Sequence, residues 1–156
     1  MAKIDKSLHL TESEIDQLMR SESRIRIATV GKNGRINLTP MTFGWTGGCV
    51  FIFGRGQKVA NLRHNPEATV LVDVGDEWRD LQGIMMQGHA EILEDAQSEK
   101  ASPHLQAAQL DLGRKHKLSK EGKTMPYKAS ASGRSRRWIV FTPDHIVTWN
   151  NQNLPT

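Results

Sequence analysis

The sequence predicts a mainly β protein: a small barrel of six or seven mostly antiparallel strands with helices at its periphery. Short segments with alternating apolar and polar residues follow one another closely, beginning with Arg24–Val30. Tight-turn signals separate them, such as Gly31-Lys32-Asn33-Gly34, because asparagine and glycine tolerate the positive φ of hairpin turns. This strand–turn–strand layout, with no Gly-x-Gly-x-x-Gly opening a βαβ helix, argues against a doubly wound parallel sheet.

Length and composition fit one domain with its own core. The chain has 156 residues and a formal net charge of +4, and we expect a single domain over residues 1–156. This moderately basic balance suits a phosphorylated or acidic small molecule and also permits a nucleic-acid surface. Cys49 is the only cysteine, so a reducing cytoplasm is the expected location. We expect neither a signal peptide nor a membrane span, because the sequence has no suitable apolar run.

The first elements are a capped helix and three strands. Thr11-Glu12-Ser13-Glu14 is a capping box ahead of Ile15, so a short amphipathic helix opens the fold and covers one end of the barrel. A second turn is expected at Thr46-Gly47-Gly48. Pro40 supplies no N–H, which predicts that its strand is interrupted or lies at an edge. The three strands are predicted at Arg24–Val30, Arg35–Phe43 and Cys49–Phe53.

A glycine–arginine turn follows the third strand. In Gly54-Arg55-Gly56-Gln57-Lys58, the glycines let backbone N–H groups approach an anion, and Arg55 and Lys58 neutralise it. The helix that begins here points its N-terminus toward the same place. The turn is therefore a candidate phosphate site, and the alternative is an ordinary turn that binds nothing.

The second half of the chain continues with strands and a helical segment. Asn65-Pro66 ends the helix that begins near Lys58. In the strand predicted at Asp80–Leu93, Gly83 and Gly88 indicate bends or bulges. Leu105, Ala108 and Leu112 form a stripe at helical spacing, with a possible break at Gly113. The predicted elements are strands at Ala68–Asp73 and Asp80–Leu93, a helix over Asp95–Lys117, and a final hairpin of Trp138–Thr142 and His145–Trp149 around Pro143-Asp144.

The segment Lys115–Arg137 is basic and poor in apolar residues, which predicts a mobile loop. Three interpretations stay open: a solvated loop, a lid over an acidic or phosphorylated substrate, or a nucleic-acid contact. The last is the least favoured, because Tyr127 is the only aromatic side chain in the segment for a base to stack on. No zinc-type spacing, Walker P-loop or assignable catalytic triad is present. Enzymatic chemistry would therefore belong to a bound cofactor, and we assign no catalytic residue and no metal site.

The order and spacing of these elements resemble the pyridoxamine 5'-phosphate oxidase-like flavin-binding proteins. This split-barrel superfamily also includes the deazaflavin-dependent oxidoreductases. The resemblance covers roughly Ile15–Leu93 and Arg137–Asn150; its most specific pieces are the Lys-x-x-Asn-Leu-x-x-Asn-Pro helix at Lys58–Pro66 and the strand ending Gln87-Gly88-His89-Ala90-Glu91. It implies a split β-barrel of the FMN-binding type and a homodimer with two flavins in clefts between the subunits.

The resemblance also implies a role for particular residues. Arg55 and Lys58, assisted by Gln57, would hold the phosphate of FMN, and Gln82 and Trp149 would complete the cleft from the neighbouring subunit. The implied function is a flavin-dependent oxidoreductase with a small-molecule redox substrate. The alternatives are a deazaflavin (F420) reductase, whose acidic cofactor tail would meet the basic segment, and a non-catalytic flavin- or haem-binding protein. The full set of expected cofactor-binding residues is Asn37, Leu38, Thr39, Pro40, Phe53, Arg55, Gln57, Lys58, Gln82 and Trp149.

Overall fold

A single curled sheet dominates the structure. A computed structural model describes residues 6–128 and 135–155. The main sheet consists of β1 (Arg24–Val30), β2 (Ile36–Thr42), β3 (Gly44–Thr46), β4 (Cys49–Gly54), β5 (Glu67–Val74), β6 (Gln82–Leu93) and β9 (Arg137–Asn150). A separate two-stranded ribbon pairs β7 (Ser119–Lys120) with β8 (Lys123–Thr124). The helices are α1 (Glu12–Ser21), α2 (Gln57–His64), α3 (Ala96–Ala101) and α4 (Leu105–Lys115).

Every pairing in the main sheet is antiparallel, in the order β2-β1-β5-β6-β9-β4-β3. The strand β2 at one edge approaches β4 near the other edge, so the sheet curls into a half-barrel. These findings confirm the predicted mainly β barrel with peripheral helices. They also place Pro40 on an edge strand, where a residue without an N–H costs no ladder hydrogen bond. No helix in the described ranges is long and apolar enough to cross a bilayer.

The core fills the concave side of the sheet. Alternate residues of β1 point inward, and Ile25 and Ile27 are fully buried, as the period-two pattern predicts. The helix α1 covers one end of the barrel with the buried side chain of Met19. The predicted capping box of α1 is present: Glu14 N–H donates to Thr11 Oγ1, and Thr11 N–H donates to the Glu14 carboxylate.

A second apolar cluster lies on the convex side of the sheet, under α4. The predicted stripe of Leu105, Ala108 and Leu112 packs there against Phe51 and Trp138. Because Val50 and Ile52 belong to the inner core while Phe51 faces α4, β4 is covered on both faces. The convex cluster therefore determines where α4 and the chain after it run.

The predicted final hairpin is wrong, because β9 runs without a break from Arg137 to Asn150. His145 pairs with Gln87 and Pro143 pairs with Gly88, so Asp144 is the extra residue of a β-bulge. A Cβ at Gly88 would overlap the carbonyl oxygen of Thr142, which explains the glycine opposite the bulge. The Pro-Asp pair thus bends one strand and does not reverse the chain.

The single helix predicted over Asp95–Lys117 is also wrong, because the segment forms two helices. The helix α3 ends at Ala101, because Pro103 disfavours helical backbone at Ser102, the residue before it. Gly113 does not break α4, which continues to Lys115. Its lack of a side chain instead admits the carbonyl of Met125.

The basic segment predicted as a loop contains the β7–β8 ribbon and follows α4 closely. Backbone hydrogen bonds to α4 include Leu118 N–H to Gly113 O at 2.8 Å and Tyr127 N–H to Gln109 O at 2.8 Å. Within the segment, Met125 N–H donates to Leu118 O at 2.9 Å. We call residues 116–128 the strap. Residues 129–134 of the predicted loop lie outside the described residues.

Candidate functional site

A cleft of about 350 Å³ opens where β4 ends, α2 begins and the strap passes. We call it the anion cleft. Four of the expected cofactor-binding residues line it: Pro40, Phe53, Arg55 and Lys58. Its other lining residues are Met41, Thr42, Gly54, Leu112, Tyr127 and Arg136. The strands β2 and β4 meet here because the sheet curls, so residues from both ends of the strand order share one cleft.

Lys58 is the most buried cation of the anion cleft, with 9% of its surface exposed. Its Nζ donates to the carbonyl oxygen of Arg55 at 2.9 Å, which fixes the ammonium group beside the turn. An ammonium group has three donors, so two remain for a ligand. Burial lowers the pKa of Lys58, and the positive charges of Arg136 and Arg55 lower it further.

The anion cleft carries uncompensated positive charge. Arg55, Lys58 and Arg136 all line it, and no aspartate or glutamate is among its described lining residues. In a partly desolvated cleft such like charges repel one another, and a bound anion would relieve the repulsion. The donor set consists of two guanidinium groups and one ammonium group, which is the chemistry that proteins use for phosphate.

An aromatic wall forms another side of the anion cleft. The ring of Phe53 packs against Trp138, with 4.9 Å between centroids, and against Tyr127, with 6.2 Å between centroids. The backbone bond from Tyr127 to Gln109 holds the strap in this position. The cleft therefore combines cations with an apolar wall, a combination that suits a phosphate ester better than a free inorganic ion.

The other predicted residues of β2 and α2 are not among the lining residues of the anion cleft. Asn37 and Gln57 line a separate pocket of about 310 Å³ together with Asn61. The side-chain oxygens Oδ1 of Asn37 and Oγ1 of Thr39 are buried without a hydrogen-bond partner. Leu38 points the other way and is 63% exposed. The strand β2 thus keeps unsatisfied polar groups on its inner face and apolar side chains on its outer face.

Gln82 and Trp149 lie at the other end of the β6–β9 pair and do not line the anion cleft of their own chain. They are neighbours, because Gln82 pairs with Asn150 and Gly83 pairs with Trp149. Both side chains are half-buried. The expectation that they reach the cofactor of a partner subunit stays a prediction.

Sequence reasoning missed Tyr127 and Arg136 as residues of the anion cleft. Both fall in the basic segment, which the sequence marked as a possible lid without assigning residues to it. The one available signal was Tyr127 itself, a lone aromatic residue among lysines. The contact with α4 that brings it to the cleft is long-range and leaves no local pattern.

The residues of the anion cleft fit the phosphate end of a nucleotide-like cofactor. The cations suit the phosphate. On the same strand as Pro40, the buried oxygens of Asn37 and Thr39 have no hydrogen-bond partner, although neither residue lines the cleft. A volume of about 350 Å³ is at the small end of ligand pockets and suits one end of a cofactor more than a three-ring system. Among the described residues, no group of three or more His, Cys, Asp or Glu side chains could hold a metal ion.

The sequence profile of the family described as pyridoxamine 5'-phosphate oxidase matches residues 11–150. The chain belongs to this family. The match spans every strand of the main sheet and all four helices. A comparison with curated proteins finds no match.

Solved structures share the fold of this pyridoxamine 5'-phosphate oxidase family member. The conserved hypothetical protein Rv2991 from Mycobacterium tuberculosis has 22% identity and a TM-score of 0.77, over 99% of this chain and 95% of that chain. An FAD-binding protein from Mesorhizobium loti has 18% identity and a TM-score of 0.64, over 89% of this chain and 94% of that chain. A protein named F420 reductase has 21% identity and a TM-score of 0.59, over 85% of this chain and 94% of that chain. At these identities the likeness shows the fold alone.

Proposed function

We propose that this protein is a flavin-dependent oxidoreductase that binds FMN between the subunits of a homodimer. The observation that carries the proposal is the anion cleft: three cations without a carboxylate, in a member of the pyridoxamine 5'-phosphate oxidase family. Fold neighbours named as an FAD-binding protein and an F420 reductase support a redox cofactor with a tricyclic ring. The lone cysteine, Cys49, is free, in keeping with a reducing cytoplasm.

In this proposal Arg55 and Lys58 hold the phosphate, and the aromatic wall of Phe53 and Tyr127 excludes water beside it. When bound, the flavin supplies hydride transfer, and the protein contributes binding, orientation and electrostatics. Pro40 lines the cleft from β2, so the same strand would guide the cofactor from its phosphate toward its ring. Asn37 and Thr39 offer the unsatisfied oxygens of that strand.

The proposed dimer accounts for an exposed apolar edge. On the outer face of β2, Ile36 is 71% exposed and Leu38 is 63% exposed. An edge strand with apolar side chains is a site for pairing with another chain. A second copy that covers β2 would also allow Gln82 and Trp149 to complete the cofactor site of its partner.

A deazaflavin reductase is the second candidate function, and the strap favours it. Lys117, Lys120 and Lys123 are exposed on the strap, whose Tyr127 lines the anion cleft. The acidic tail of F420 would gain from such a surface. A non-catalytic flavin or haem carrier of the same fold is the third candidate.

The test is the visible spectrum of the purified protein, followed by titrations with FMN and F420 side by side. Flavin absorption and tighter binding of FMN are expected, with reduction of the bound flavin by a nicotinamide donor. Tighter binding of F420 than of FMN would assign F420 as the cofactor, and a Soret band would indicate a haem carrier. If no donor reduces the bound flavin, the protein is a flavin carrier and not an enzyme. Size-exclusion chromatography with light scattering tests the dimer, and Leu38→Glu is expected to shift it toward monomer.

A further inference from the structure

Arg136 brings a third cation to the anion cleft from a distant part of the chain. It directly precedes β9, whereas Arg55 and Lys58 flank the start of α2. All three line the same cleft of about 350 Å³. The charge of Arg136 lowers the pKa of Lys58 more than the charge of Arg55 does. Lys58 and Arg136 therefore act on one small volume, and the turn is only part of the site.

The charge of the site exceeds what a singly charged ligand would balance. No salt bridge joins Arg55, Lys58 or Arg136 to a carboxylate in the described part of the chain. A phosphate monoester carries about −1.5 to −2 at neutral pH, concentrated on one phosphorus. A phosphodiester carries a single negative charge. Three cations around one cleft are stabilised most by a ligand that places two negative charges between them.

We infer that the anion cleft selects a phosphate monoester dianion and that Arg136 supplies this selectivity. The inference rests on the proposed function, which places a cofactor phosphate in the cleft, and adds the charge state that the cleft recognises. FMN ends in a phosphate monoester and therefore meets this requirement. FAD and F420 contain phosphate diester or diphosphate groups instead and therefore do not meet it. Arg136 is thus a specificity-determining residue.

Calorimetric titrations at about pH 7.5, where a monoester is doubly ionised, test the inference. The ligands are FMN, riboflavin and FAD, with phenyl phosphate and methyl phenyl phosphate as a simple monoester and diester. The proteins are the wild type, Arg136→Gln and the control Arg24→Gln, which removes an exposed arginine at the start of β1. Arg136 is itself exposed, so the variant is expected to keep the fold, and circular dichroism verifies this.

Arg136→Gln is expected to weaken the binding of FMN and of phenyl phosphate by about tenfold or more, because one charge-assisted contact is lost. Riboflavin and the diester should bind both proteins equally, and Arg24→Gln should match the wild type. Below about pH 6 the monoester gains a proton. Lowering the pH into this range should therefore weaken FMN binding to the wild type more than FMN binding to Arg136→Gln.

The outcomes separate this inference from the proposed function. If FMN binds the wild type and Arg136→Gln equally, or if the diester binds as tightly as the monoester, the inference is overturned while the proposed function stands. If phenyl phosphate binds in an Arg136-dependent way but no flavin is taken up, the proposed function fails and the selectivity stands. If neither flavin nor phenyl phosphate binds, both are wrong.

Discussion

Gly83 lies against the indole of Trp149 across the β6–β9 pair. A Cβ at position 83 would overlap the indole ring, so the indole rests where a side chain would otherwise stand. The neighbouring Gln82 shares this end of the sheet with Trp149. The position of the tryptophan that we expect at the partner's cofactor is therefore set by the absence of a side chain on the adjacent strand.

Gly83→Ala is expected to displace the indole of Trp149 and to lower the free energy of unfolding by about 1–3 kcal/mol, the usual cost of overpacking. Denaturant unfolding measures the loss. The control is a double-mutant cycle with Trp149→Ala, because removing the indole removes the overlap. If Gly83→Ala lowers the free energy of unfolding equally in the wild type and in Trp149→Ala, the overlap with the indole is not the cause of the destabilisation.

Lys58→Ala is expected to weaken FMN binding by about tenfold to a hundredfold, since a charge-assisted contact to phosphate is worth on the order of 1.5–3 kcal/mol. Riboflavin lacks the phosphate, so its affinity should not change. Lys32→Ala is the matched control, because Lys32 is an exposed lysine in the turn between β1 and β2. Unchanged FMN affinity in Lys58→Ala, measured by calorimetry, removes Lys58 from the site.

Lys115 is a buried cation that joins α4 to α1 and to the start of β3. Its Nζ donates to the carbonyl oxygens of Met19 at 2.8 Å and Phe43 at 3.2 Å. The same atom lies 3.2 Å from Asp111 Oδ2, and the side chain is 1% exposed. Burial nevertheless outweighs the attraction of Asp111 and lowers the pKa of Lys115 from 10.5 to about 8.

This shift predicts a rise in stability at alkaline pH. Between about pH 8 and 10.5 the unfolded chain keeps a proton that the folded chain has lost, so the free energy of unfolding increases with pH. Relative to Lys115→Met, the wild type should gain about 2–3 kcal/mol over that range, because each pKa unit corresponds to about 1.4 kcal/mol. Unfolding curves of both proteins, with exposed Lys117→Met as control, measure the difference. A flat or falling difference would mean that the ion pair with Asp111 outweighs burial.

The sequence predicted those parts of the fold and the anion cleft that depend on local pattern. Arg55 and Lys58 lie within one turn and helix start, and the strands of the main sheet other than β9 begin and end within two residues of their predicted bounds, the short β3 excepted. Alternation and turn chemistry are properties of neighbouring residues, so they can be read without tertiary structure.

The wrong final hairpin and the missed cleft residues came where tertiary contacts decide the structure, whereas the break between α3 and α4 has a local signal in Pro103. Pro143-Asp144 has the chemistry of a turn, but pairing with Gly88 makes it a bulge within β9. Arg136 and Tyr127 reach the anion cleft only because β9 pairs with β4 and the strap follows α4. Neither contact has a short-range signature, so two of the five cationic and aromatic residues that line the cleft were visible only in the folded chain.

The position of the strap on α4 depends on Gly113. Alanine in place of glycine inside a helix ordinarily stabilises by roughly 0.5–1 kcal/mol. At Gly113 the new Cβ would overlap the carbonyl of Met125, so Gly113→Ala should instead destabilise, push the strap off α4 and displace Tyr127 from the anion cleft. We expect faster proteolysis within 116–128 and weaker FMN binding, although Gly113 does not line the cleft. Gln106→Ala, on the exposed side of α4, is the control. Stabilisation by Gly113→Ala with unchanged FMN affinity would show that the strap is not part of the site.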